Sequence, residues 1–300
     1  MTFSYADFAS SLKAGAPISA ADVLAVRRWA WPDGAISDAE AEAVFELNRL
    51  ARAADPEWTS FFVEAMTEYV VNSRPPKGYV DAELAAWLID QIERDGAPIT
   101  ATELGLVVKV VEKALNASAE LRAWALRQIE EAVARDGHVG AEESGLLRRL
   151  IFAPGGEGAL VVGADEADLL WRLKEQCREA DNAPEWKTLF VQALANHLMA
   201  YSSYRPLERN EAARLEAFVD DHRASVLGFF ARMHGADPFA EARNLAAGAP
   251  AATDHDAAVA AANEVTPEEN AWLRARIDAD GALDEYEEAL LAFVAEERGR

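Results

Sequence analysis

The chain has 300 residues, 51% of them apolar, and its 52 acidic and 29 basic side chains give a formal net charge of −23. That balance argues against recognition of nucleic acid through phosphate contacts, which depends on clustered lysine and arginine, and no apolar run reaches the length a membrane-spanning helix needs. Ala, Leu, Glu and Arg dominate while β-branched runs are rare, so the expected fold is all-α.

The N-terminus, MTFSYADFAS, has no basic region ahead of an apolar stretch, so no signal peptide is expected and the protein reads as cytoplasmic. AGAPISAAD at 14–22 then introduces a motif that returns along the chain, and DGAISDAE at 33–40 is its clearest form. Gly34 stands where a helix needs a left-handed residue to close. Ile36 is placed to plug the corner into the core. Ser37 and Glu40, three residues apart, form a capping box for the next helix. DGAPITATE at 95–103 repeats the order with Gly96, Ile99, Thr100 and Glu103. Before it, Leu84, Trp87, Leu88 and Ile92 lie near one helical face, and after it Leu104, Val107, Val108 and Val111 do the same. DGHVGAEE at 136–143 uses Gly137 and Val139, EGALVVGADE at 157–166 is a weaker instance, and DGALDEYE at 280–287 uses Gly281, Leu283, Asp284 and Glu287.

Longer matches arrange these corners. DPEWTSFFVEAMTEYVV at 55–71 resembles APEWKTLFVQALANHLM at 183–199, which aligns Trp58 with Trp186. YVDAELAAWLIDQIERDG at 79–96 resembles EVTPEENAWLRARIDADG at 264–281, which aligns Trp87 with Trp272. The chain therefore reads as two related multi-helix halves built from helix–Asp-Gly corner–helix units: a first at 1–128, and a second at 129–300 with an insertion at about 207–263. A strong amphipathic helix is expected at about 208–233 and a small-residue linker at 246–262.

The corners are also half of a calcium loop, whose ligands come from positions 1, 3, 5, 7, 9 and 12. With Gly34 as position 6, the first two ligand positions hold Trp29 and Trp31, and with Gly137 they hold Ala132 and Ala134. Only RIDADGALDEYE keeps most of the set, with Asp278, Asp280, Asp284 and Glu287 at positions 3, 5, 9 and 12 and Arg276 at position 1. Residues 264–300 carry 11 acids against 4 basic residues, which favours a cation there. These corners resemble the EF-hand family, and they are similar to the tellurite-resistance TerB-like helical domains, which have Asp-Gly turns between helices. The EF-hand resemblance implies calcium as the cofactor of the last corner, held by those four carboxylates. Helix termination and capping account for the same residues with no metal.

Little else carries chemistry. His138, His197, His222, His234 and His255 form no HxxxH or HxH pair, and APGGEGALVVGADE lacks the Lys-Ser/Thr of a phosphate loop. Cys177 stands alone and reads as a small core residue. No catalytic residue is nominated. The expectation is a soluble, acidic, non-enzymatic interaction or scaffold protein, which meets a protein partner through a groove between helices or through the 208–233 helix. The alternative is a calcium sensor or buffer using the loop at 276–287.

Overall fold

The structure, a computed structural model, describes residues 3–32, 34–51, 55–153, 161–199, 267–277 and 283–298. The expected helix at 208–233, the linker at 246–262, and Asp278, Asp280 and Gly281 lie outside the described residues. Within them the fold is all-α. Twelve helices follow one another: α1 (Tyr5–Lys13), α2 (Ala20–Ala30), α3 (Asp38–Leu50), α4 (Pro56–Asn72), α5 (Ala82–Glu93), α6 (Ala101–Lys113), α7 (Ala119–Asp136), α8 (Ala141–Ile151), α9 (Ala164–Gln176), α10 (Pro184–Met199), α11 (Pro267–Ile277) and α12 (Glu285–Arg298). The one extended element among the described residues is a parallel pair of two-residue strands, β1 (Tyr79–Val80) and β2 (Asn116–Ala117). No described helix is long and apolar enough to cross a membrane.

Capping explains where the helices begin. Ser19 with Asp22, Ser37 with Glu40 and Thr100 with Glu103 each form a reciprocal capping box at the start of α2, α3 and α6. Asp55 accepts the amides of Glu57 and Trp58 and so opens α4, with Pro56 in the first turn, where its missing N–H costs nothing. Gly137 closes α7 at φ +73°, and its N–H bonds the carbonyl of Val133. Gly34 and Gly96 also have positive φ.

The corner residues reach the core unequally. Val139 is fully buried and Ile36 nearly so, whereas Ile99 is half-buried. Leu283 departs from expectation: it is 49% exposed. The burial at that corner falls to Tyr286, whose ring lies 5.7 Å from Phe190 and whose hydroxyl accepts a hydrogen bond from Asn182.

One continuous core runs through the molecule, with Cys177 inside it. The most extensive helix pairings are α4 with α6 and α10 with α12. Similar ring clusters sit behind both. Phe45 meets Phe62 at 5.2 Å and Trp87 at 5.6 Å, both edge-on. Trp171 meets Phe190 and Trp272, each at 5.8 Å. The expected boundary at 128 falls inside α7, which runs unbroken and packs on α5 and α6 as well as on α8 and α9.

Candidate functional site

The last corner is built around a lysine. Asp284 caps α12: its Oδ1 accepts the amides of Tyr286 and Glu287, while Glu287 Oε2 accepts the amide of Asp284. The remaining oxygens turn inward. Lys174 of α9, fully buried, donates to Glu287 Oε1 at 2.7 Å and to Asp284 Oδ2 at 2.8 Å, and it also pairs with Glu175. The carboxylates of Glu175, Asp284 and Glu287 come within 4.8 Å of one another, the spacing of a metal site, and the Lys174 ammonium bonds all three. Its charge also lies 4.6 Å from the ring centre of Trp171.

Burial by itself penalises both charges, and here it loses. Burial raises the Asp284 carboxyl, but the bond from Lys174 and the backbone amides outweigh it and hold the group below the usual carboxylate range. Burial lowers the Lys174 ammonium, but the bonds to Asp284, Glu175 and Glu287 outweigh that and raise it above an ordinary lysine. Arg276, at the first ligand position of the loop, turns instead to α9, where it pairs with Asp168 and lies 4.6 Å from the Trp272 ring centre.

The corner before α6 has the same layout with a neutral group in the lysine's place. Asn48 of α3 donates to Glu103 Oε1 at 3.4 Å, and its Oδ1 accepts the Trp58 indole N–H at 3.1 Å. Lysine has no acceptor to offer. Trp186, fully buried and aligned with Trp58, accordingly has an indole N–H with no hydrogen-bond partner among the described residues.

A second feature lies along the seam of α4 and α6. The two helices run side by side in the same direction: Thr59 meets Thr102 at 3.4 Å near their starts, and beyond their ends the Gly78 carbonyl accepts the amides of Leu115 and Asn116. Gly78 is held at φ +86°, where a Cβ would approach Leu115 to 2.8 Å, so the turn needs glycine. Over the seam lies an open groove of about 870 Å³. Val63, Thr67 and Val71 line it from α4, and Ala101, Gly105, Lys109 and Lys113, each four residues from the next, line it from α6. A Cβ at Gly105 would meet nothing within 4 Å. Counted from the two capping boxes, Tyr286, Ala289 and Phe293 of α12 stand where α6 has Thr102, Gly105 and Lys109. On α6 those places are small or cationic, and the groove stays open.

The groove also has a distinct charge. Thr67 is 8% exposed, and its buried hydroxyl has no hydrogen-bond partner among the described residues, a state that costs about 1–3 kcal/mol. Lys77, Lys109, Lys113 and Arg149 line the groove against Glu64 and Glu68.

Compared with protein-family models, with curated proteins and with solved structures, the chain matches none.

Of the four carboxylates nominated for a metal, Asp284 and Glu287 come together, and Asp278 and Asp280 lie outside the described residues. Lys174, Glu175 and the groove residues were not singled out from sequence. Two signals were present. Lys174 breaks the apolar stripe of Leu170, Trp171 and Leu173, and the spacing of four from Ala101 to Lys113 cuts a row of small and cationic residues into an otherwise largely apolar helix.

Proposed function

We propose that the chain is a non-enzymatic binding protein that docks a helix of a protein partner in the groove between α4 and α6. The observation that carries this reading is the open row on α6 facing Val63, Thr67 and Val71 across the seam. Helix-in-groove recognition needs a trough with apolar places and side chains at helical spacing on its walls, and this seam offers Val63 and Val71 on one wall and the row from Ala101 to Lys113 on the other. The row from Ala101 to Lys113 is about 18 Å long, enough for three turns of a partner. A display selection of helical peptides about 18 residues long on the whole chain tests the reading. Recovered peptides are expected to bind the native chain and to lose binding to Gly105→Leu, which fills the trough. Peptides that bind both alike would overturn it.

Kinship between the halves is part of the same proposal. We read α2–α6 and α8–α12 as two copies of one arrangement of helix–corner–helix units, with resemblance to EF-hand and TerB-like folds confined to the corners. Support comes from the paired ring clusters on Phe45 and Trp171, and from Asn48 with Glu103 beside Lys174 with Glu287.

The competing reading, a calcium sensor, draws on the converging carboxylates of Glu175, Asp284 and Glu287. We propose instead that this corner carries its own cation. A calcium ion would have to displace a buried ammonium bonded to all three carboxylates. Isothermal calorimetry on chelator-treated protein is expected to give no binding heat up to millimolar calcium. Micromolar binding that Glu287→Ala removes would restore the sensor.

A further inference from the structure

We infer that the partner helix is acidic: an amphipathic helix with carboxylates flanking its apolar stripe, laid so that they meet Lys109, Lys113 and Arg149. This inference rests on the groove reading above and names the chemistry of its occupant.

Charge complementarity carries it. The chain as a whole has formal charge −23, yet the groove lining holds four cations against two acids. The neighbouring pairs do not cancel that imbalance. Glu64 is already matched by Arg27, which bonds both of its carboxylate oxygens. Lys109 and Arg149 share a single carboxylate: both donate to Glu112 Oε2, each at 3.0 Å. Two cations on one anion leave an unmatched positive charge at the groove wall, and exposed Lys113 adds another one turn further along α6. These cations gather toward the end where Leu115, 58% exposed, stands beside Gly78. An occupant must therefore offer apolar side chains to Val63, Val71 and Leu115 and anions to the lysines. A basic helix would be attracted to the rest of this surface but would meet like charge in the groove, so the inverted sign selects against it as well as for its opposite.

The peptide selection described above tests this with two more variants, Lys113→Glu and Lys109→Glu/Lys113→Glu, each checked for an unchanged helical melt. Recovered peptides are expected to carry excess Asp and Glu beside an i, i+3, i+4 apolar stripe. They should lose all measurable binding to Gly105→Leu and about tenfold or more to the charge-reversed variants. Peptides that require Gly105 but have no acidic excess, and that bind Lys113→Glu as well as the native chain, would overturn the acidic partner and leave the groove standing. Peptides indifferent to Gly105→Leu, or none recovered, would overturn both. Self-association of the chain that Gly105→Leu abolishes, seen by sedimentation, would put a second copy in the groove and overturn a separate acidic partner.

Discussion

Lys174 is the residue whose loss should be felt most. It is fully buried beside fully buried Glu287, so its removal strands a carboxylate away from water. Breaking such a pair from one side costs about 3–5 kcal/mol. Lys174→Met should lower stability by about that much in a denaturant titration. Adding Glu287→Gln should recover much of the loss, because the amide keeps an acceptor for the Asp284 N–H and removes the unpaired charge. A double variant no more stable than Lys174→Met would show that the ion cluster is not what holds the corner. The same residue marks the limit of sequence reading. The capping boxes are legible because their partners stand three residues apart, whereas Lys174 and Glu287 are 113 residues apart. No local pattern joins an α9 lysine to the first turn of α12; only the packing of α12 on α10, next to α9, does.

At the scale of an element, α12 is attached through titratable groups, and its docking should depend on pH in a defined direction. The Asp284 carboxyl is held below its ordinary value, so its contribution is present above about pH 3.9 and is lost as pH falls through the lower folded value. The Lys174 ammonium is held above its ordinary value, so its contribution is complete below about pH 10.4 and is lost as pH rises through the higher folded value. Docking of α12 should therefore be flat between those limits and weaken beyond them. Amide exchange along α12 measures this directly, and in Lys174→Met the alkaline weakening should disappear. Persistence of that limb in the variant would assign it to another group. The helices themselves were readable from periodicity and caps. The groove was not, because it arises from what α6 lacks at Gly105 and from a neighbour that approaches only in the folded chain.

The fold class was legible from composition and periodicity, since an Ala- and Leu-rich chain with capped amphipathic segments has few alternatives to packed helices. The division at 128 was read from repeated stretches that flank a helix the repeats do not include. α7 spans eighteen residues, and a chain stopped at Gln128 keeps only ten of them. It would lose Ile129 and Val133, both fully buried. The whole protein should melt in a single transition, with calorimetric and van't Hoff enthalpies in agreement. Two resolved transitions would mean that the halves fold independently. Seen this way, α7 acts as a wall shared by two rooms. α9, which carries Lys174, packs on α7, and α7 packs on α6, the helix that carries the groove's cationic row. The helix that lines the proposed groove and the helix that carries Lys174 thus rest on one shared neighbour.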